Sequence, residues 1–179
     1  MEFTTERLIL RPWTIADAED LYNYAKDERV GPIAGWAPHK SVEESAEIIQ
    51  TVFAQKEVYA VALKENNRAI GCIGILIGKN SNFEITETEG EVAYWIGVPF
   101  WGQGLIPEAL NKIIEHAFET LKLTKLWCGF FKDNEKSKRA QEKCGFKHSH
   151  IIEKQFNPFL NDYQVEYVSR LTKAEWQNK

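Results

Sequence analysis

Hydrophobic and polar positions along the chain fall into two periods. In "ERLILRPW" (6–13), Leu8 and Leu10 alternate with polar neighbours, the two-residue period of a half-buried strand. "TIADAEDLYNYAKD" (14–27) then predicts a helix, with Thr14 as N-cap and Asp17 completing a capping box three residues on. The Gly and Pro punctuation of "VGPIAGWAPHK" (30–40) predicts a loop. "SVEESAEIIQTVFAQ" (41–55) predicts a second helix, with Ser41 and Glu44 in capping-box register and Ala46, Ile49, Val52 and Phe53 on one face. "VYAVAL", "ENNR" and "AIGCIGILIG" read as a hairpin of two apolar strands, and the polar "NSNFEITETEG" as a connection.

"EVAYWIGV" (91–98) predicts a strand, followed by the turn "WGQGLIPEAL". Ala109, Leu110, Ile113, Ile114, Ala117, Phe118 and Leu121 then recur at helical spacing, one of the most strongly periodic faces in the chain. "KLWCGFF" (125–131) is the next strand, and "NEKSKRAQEK" (134–143) a helix with Asn134 as N-cap and Gly145 just past its end. "KHSHIIEKQF" and "DYQVEYVSRL" close the chain as an antiparallel pair. The order β-α-α-β-β-β-α-β-α-β-β places the chain in the α/β (α+β) class, one domain over residues 1–179 around a central sheet.

Composition narrows the function classes. With 44% hydrophobic residues, the 179-residue chain has matter for a full core. A formal net charge of −4 lacks the basic excess that nucleic acid binding needs. Cys72, Cys128 and Cys144 form no C-x-x-C pair, which argues against a zinc site and fits a reducing compartment. Charges at Glu2, Glu6, Arg7 and Arg11 exclude a signal peptide core in "MEFTTERLILRPW", and no apolar run reaches the length of a membrane span. The expected location is the cytoplasm, without a membrane partner.

The turn "WGQGLIPEAL" carries the first chemical signal. A strand, a glycine-rich turn and a helix start expose unpaired N–H groups and the positive end of the helix dipole to an anion. Glycine lets the backbone approach closely. The stretch is neither a Walker loop nor a G-x-G-x-x-G turn, and a plain strand-to-helix corner has about even odds on local sequence alone. Pro107 at the first helical position would help the helix start. The N–H groups of Gly102, Gln103, Gly104, Leu105 and Ile106 would remain as donors.

Together, "TERLILRPW", "EVAYWIGVPFWGQGLIPEAL" and "NEKSKRAQEKCGF", in that order, resemble the GNAT superfamily of acetyl-CoA-dependent N-acetyltransferases, and more closely its RimJ/RimL-like branch, which includes ribosomal-protein-alanine N-acetyltransferases. The resemblance covers nearly the whole chain. It implies a mostly antiparallel sheet splayed in its middle, with helices on both faces and coenzyme A in the gap between "EVAYWIGV" and "KLWCGFF". By the same resemblance the pantetheine arm would lie along the backbone of Ile96 and Val98. The pyrophosphate would sit on Gly102 through Ile106, and Asn134 and Ser137 would stand near the pantetheine. Three departures mark this chain: Trp101 opens the motif in place of Gln or Arg, the bulky Ile106 closes it in a small-residue slot, and Gln141 stands where many relatives carry a tyrosine acid.

Acetyl transfer from acetyl-CoA requires a neutral amine, hence a base, and a proton or hydrogen bond for the leaving thiolate. Glu91 is the first candidate base and Glu89 the second; Ser137 is the candidate acid. The oxyanion would take a backbone N–H such as that of Val98, while direct attack governed by positioning alone needs no single acid or base. Solvated roles for these residues are the competing reading. Lys132, Lys136, Lys138 and Arg139 could meet the 3′-phosphate end of coenzyme A, or simply form a solvated face. By the same resemblance Trp36 and His39 would line the acceptor cleft; a loop histidine without a role is the competing reading. His148 and His150 make half a metal site at best, so no metal is expected. The acceptor is a protein N-terminus or a small amine. The alternatives are a non-catalytic coenzyme A-binding module and a binder of other nucleotides. Many relatives pair as homodimers, and no sequence feature decides that here.

Overall fold

A computed structural model describes residues 1–157 and 161–178. The elements follow the chain as β1 (Phe3–Thr4), β2 (Leu8–Arg11), α1 (Ala18–Ala25), α2 (Gly31–Ala34), α3 (Val42–Thr51), β3 (Val58–Leu63), β4 (Ala69–Ile77), β5 (Glu89–Ile96), α4 (Leu105–Glu115), β6 (Lys125–Phe131), α5 (Glu135–Lys143), β7 (Lys147–Asn157), β8 (Asp162–Thr172) and α6 (Lys173–Gln177). The strands form one sheet in the order β1-β2-β3-β4-β5-β6-β8-β7. Every neighbouring pair is antiparallel except β5 and β6.

That exception creates the site. β5 and β6 pair in parallel only at Glu89–Lys125, Gly90–Leu126 and Glu91–Trp127, while each keeps its outer partner, β4 or β8, well beyond those residues. Past Glu91 and Trp127 the two strands part, and the sheet opens along a line of backbone polar groups that lack a strand neighbour.

Helices cover both faces. The apolar stripe of α4 packs Leu105, Ala109, Leu110, Ile113 and Ile114 against Leu8, Leu10, Ile73 and Val92 on one face. On the other, Leu21 and Ala25 of α1 and Ile49 of α3 pack against Ala60, Ala69 and Cys72. The three cysteines are buried, and none is in a disulfide.

The sequence expectations hold for the strands and the long helices. Differences are local. The segment 30–40 is not wholly loop: Gly31–Ala34 forms one helical turn, stopped by Gly35 at φ +92°. α3 ends at Thr51, so Val52 falls beyond its buried face and is 52% exposed. Ser41 caps α3 by accepting from Glu44 N at 3.2 Å, but the Glu44 carboxylate takes the N–H of Lys40 rather than that of Ser41. α4 begins at Leu105, which makes Pro107 its third residue rather than its first. The consequence is unchanged, because the third N–H of a helix has no internal acceptor either. The first bond within α4 runs from Glu108 N to Gly104 O at 3.2 Å.

Part of the "TERLILRPW" signal is structural. Arg11 holds Asp17 with two bonds of 2.8 Å in a nearly buried pair, and Asp17 also accepts from Thr14 N and Thr14 Oγ1 at 2.8 Å. Burial alone would raise the Asp17 pKa, but Arg11 and the Thr14 donors outweigh it and hold the carboxyl below its usual range. The folded pKa is thus depressed, so this contribution is present above the unfolded value and is lost as pH falls through the folded one. Asp17→Ala is expected to cost roughly 3 kcal/mol, because Arg11 would be left buried without its partner. Urea denaturation at neutral pH measures this, and the deficit relative to wild type is expected to shrink in acid.

Candidate functional site

A cleft of about 690 Å³ occupies the opening between β5 and β6. Among the residues named from sequence, Glu91, Ile96, Gly102, Gly104, Leu105, Ile106, Asn134 and Ser137 line it. Strand divergence brings them together from three separate segments: β5, the turn into α4 and the start of α5.

One end of the cleft is the glycine turn. Gly102 and Gly104 both have φ of +76°, a left-handed conformation that favours glycine. A Cβ at Gly102 would meet nothing within 4 Å, and one at Gly104 only the Arg7 guanidinium at 3.7 Å. The turn is therefore open on the cleft side. Among the described residues, the N–H groups of Gly102, Gln103, Gly104, Leu105 and Ile106 find no acceptor in the protein. The Ile106 side chain is buried in the core beneath α4, so its bulk does not fill the turn.

Arg7 and Glu108 brace this turn from behind. Arg7 Nη1 donates to Gln103 O at 2.9 Å, and its Nε to Glu108 Oε2 at 2.7 Å. Glu108 also accepts from Thr5 Oγ1 and from Arg7 N. This is the second structural use of the "TERLILRPW" signal. The Gln103 side chain is exposed and donates to Pro99 O at 2.8 Å, outside the cleft. Val98 begins a 3-10 turn, Val98–Phe100, and does not line the cleft. The Ile96 carbonyl already accepts from Trp101 Nε1 at 2.9 Å.

The middle of the cleft is built by the start of α5. Asn134 Oδ1 caps that helix by accepting from Ser137 N at 3.1 Å, and its Nδ2 donates to Ile33 O at 3.4 Å. Ser137 Oγ lies 2.9 Å from Tyr94 Oη and accepts from Gln141 Nε2 at 3.2 Å. Tyr94 Oη is also 3.2 Å from Ser137 O. Its single proton can thus serve the carbonyl or Oγ, which decides whether the serine proton is free to face the cleft. Burial, chiefly, pushes the Tyr94 pKa well above its usual value, so it remains a phenol. Gln141, at the tyrosine-acid position, is buried and also donates to Gly129 O at 3.3 Å, covering a carbonyl that the divergence leaves without a strand partner. Tyr94 was not singled out from the sequence. It lies two residues before Ile96 on β5, so strand alternation places both on one face and was the available signal.

Cations gather beside the turn. Lys136, Arg139 and Lys143 line the cleft, with Lys136 Nζ 4.2 Å from the Trp101 ring centroid. Lys132 and Lys138 do not line it; Lys138 stands 3.9 Å from Glu135.

The opposite end holds two carboxylates. Glu91 is buried and accepts from Ser81 Oγ at 2.7 Å, Asn82 N at 2.6 Å and Asn82 Nδ2 at 3.0 Å. Glu166, from β8, also lines the cleft and was not identified from the sequence. Burial first, and the charge of Glu91 second, raise its pKa to about 7.

The remaining candidates lie elsewhere. Glu89 pairs with Lys125 Nζ at 2.8 Å and accepts from Trp127 Nε1 at 3.1 Å, away from the cleft lining. His39 is buried with Nδ1 2.8 Å from Ser45 Oγ, and burial lowers its pKa. Trp36 packs edge-on to Trp95, 5.5 Å between centroids, and neither Trp36 nor His39 lines the cleft. A bulge separates His148 from His150 in the pairing with β8, and both are exposed. Among the described residues, no group of three or more His, Cys, Asp or Glu could hold a metal ion, and no helix is long and apolar enough to cross a membrane.

The same fold recurs in known proteins. The profile of the Acetyltransferase (GNAT) domain matches residues 7–147. The uncharacterised N-acetyltransferase YoaA of Bacillus subtilis is 28% identical over 155 residues, which is 83% of this chain and 84% of that protein. The solved structure of a GNAT-family acetyltransferase from Bacillus anthracis superposes with a TM-score of 0.83 at 20% identity, covering 97% of this chain and 99% of the other. That of a ribosomal-protein-S5-alanine acetyltransferase from Vibrio fischeri gives 0.76 at 20% identity, with 98% of each chain covered.

Proposed function

We propose that this chain, which belongs to the GNAT acetyltransferase family, moves an acetyl group from acetyl-CoA to a primary amine by direct attack in a ternary complex. One observation carries the reading. Among the described residues, five consecutive backbone N–H groups, Gly102 to Ile106, stand without acceptors at the mouth of a cleft that enters the splayed sheet. An anion there gains charge-assisted bonds and the favourable end of the α4 dipole without displacing any existing partner.

On this reading the turn holds the pyrophosphate. Lys136, Arg139 and Lys143 attract the 3′-phosphate, and the β5 edge beyond Glu91 faces the pantetheine. Asn134 fixes the start of α5 so that Ser137 Oγ faces the thioester region. With the Tyr94 proton turned to Ser137 Oγ, the serine hydroxyl is free to hydrogen-bond the leaving sulfur. Thioester exchange with an amine then depends mainly on positioning and on removal of a proton from the amine. The acceptor is either a protein N-terminus or a small amine; the name of the Vibrio fischeri structure states an alanine of ribosomal protein S5 for that protein. A homodimer is compatible with this reading, and a cytoplasmic location accords with its substrates.

A thermal-shift series tests the reading. Acetyl-CoA at about a hundred times its Kd is expected to stabilise the fold by about 2.7 kcal/mol, or roughly 5–10 °C, while ATP and NAD do little. Stabilisation by ATP without stabilisation by acetyl-CoA would refute the cofactor assignment. Acetyl-CoA binding with no acceptor-dependent thiol release across a broad panel of amines and N-terminal peptides would favour a coenzyme A-binding module.

A further inference from the structure

The two carboxylates at the acceptor end of the cleft are chemically unequal. Glu91 has both oxygens occupied by donors from Ser81 and Asn82, and its work is to hold that loop against the strand. The Glu166 carboxylate has no hydrogen bond or ion pair among the described residues, although the residue lines the same cleft. Its position follows from the sheet. Glu166 on β8 pairs with Phe131 of β6 and with Ile152 of β7. Its side chain crosses β6 at Gly129, where an added Cβ would lie 2.1 Å from Oε1 and 3.0 Å from Cδ. Only the missing side chain at Gly129 lets the carboxylate reach toward the gap between β6 and β5.

We propose that Glu166 is the general base that takes a proton from the acceptor ammonium, with Gly129 as the notch that admits its carboxylate to the reaction site. This rests on the acetyltransferase reading above. In the step, one proton passes from the ammonium to a Glu166 oxygen. The freed nitrogen lone pair forms a bond to the thioester carbonyl carbon, and the carbon–sulfur bond breaks. A second proton leaves nitrogen and ends on sulfur, with the Ser137 hydroxyl placed to relay it. Glu166 releases its proton to water, so amine cation and thioester become amide, thiol and one free proton.

The titratable groups acting on Glu166 are Glu91 from β5, which repels its ionised form, and Cys128 from β6, a buried thiol whose own pKa is pushed far up, first by burial and then by both glutamates. Its β7 neighbour Ile152 is apolar. No lysine or arginine forms an ion pair with it among the described residues.

The test is the pH dependence of kcat/KM, followed by thiol release with peptides bearing free N-termini and with simple alkylamines. For wild type the rate is expected to rise with pH through a limb near 7, the value at which Glu166 ionises. Glu166→Gln is expected to lose roughly a hundredfold or more and to lose the limb, with the acetyl-CoA thermal shift retained. Glu166→Asp, which keeps a carboxylate, should retain the limb at a reduced rate and guards against a folding defect in the amide variant. Glu91→Gln removes the repelling charge, so the limb should move to lower pH and persist. A limb that survives Glu166→Gln, or that vanishes in Glu91→Gln, would overturn the assignment of the base while leaving the acetyltransferase reading intact. Wild-type protein that binds acetyl-CoA but releases no thiol with any acceptor would overturn that reading, and this proposal with it.

Discussion

Gly104→Val is expected to leave the chain folded and to weaken coenzyme A binding about a hundredfold or more. Space is not the obstacle, because a Cβ would approach only the Arg7 guanidinium, at an ordinary contact distance of 3.7 Å. The backbone is. Gly104 stands at φ +76° as the N-cap of α4, and a β-branched residue there costs about 1–3 kcal/mol. The turn can relieve that cost by rotating its peptide planes, since nothing else pins the cleft side. The N–H groups of Gly104 and its neighbours then cease to converge. Losing two bonds to a charged ligand, at about 1.5–3 kcal/mol each, gives the predicted drop. Calorimetry with coenzyme A reads the affinity, and the melting temperature of the free protein reads the fold. Gly102→Ala, also at φ +76° but with open space around it, should show a smaller loss. Unchanged affinity in Gly104→Val would mean that the phosphates bind elsewhere.

Gly129→Ala is expected to reduce kcat/KM by roughly a hundredfold, the scale of removing a general base, with stability changed by no more than about 1 kcal/mol. The added methyl would collide with the Glu166 carboxylate and approach Phe83 Cζ to 3.0 Å. The Glu166 carboxylate is the far end of a flexible chain and can swing away cheaply, while alanine improves on glycine within a strand. The two stability effects oppose each other. The catalytic effect has no such compensation, since a carboxylate turned from the gap cannot reach the amine. Steady-state kinetics beside a urea titration separates the two. A fully active Gly129→Ala would show that Glu166 need not occupy this notch. A loss of activity matched by a loss of folded protein would assign the glycine a packing role.

Much of the molecule was legible because its signals are local. Strand alternation at Leu8 and Leu10, the helical stripe from Ala109 to Leu121 and the Asn134 cap depend on neighbours within a turn or two. The glycine turn belongs to the same class, since two left-handed glycines before a helix are a backbone instruction. The misjudged details lie where local rules compete. Val52 kept the helical spacing, but the helix had already stopped at Thr51. Pro107 suits any of the first helical positions, so its type could not fix its place.

The carboxylates show where local reasoning ends. Glu89, Glu91 and Glu166 are the same residue in similar strands. The register of the sheet gives Glu89 to Lys125 and Trp127, the loop before β5 gives Glu91 to Ser81 and Asn82, and among the described residues the Glu166 carboxylate over Gly129 has no hydrogen-bond partner. Likewise, Arg7 and Arg11 belong to one motif, yet Arg7 braces the turn at Gln103 and Arg11 anchors Asp17. By itself the sequence determined the elements, the turn and the family likeness, because those follow from periods and spacings along one strand or helix. The tertiary structure alone decided which carboxylate, among the described residues, is left without a side-chain partner in the cleft. Glu89 takes partners 36 and 38 residues away and Glu91 partners nine and ten residues away, while Glu166 comes to lie over Gly129 through the pairing of β8 with β6.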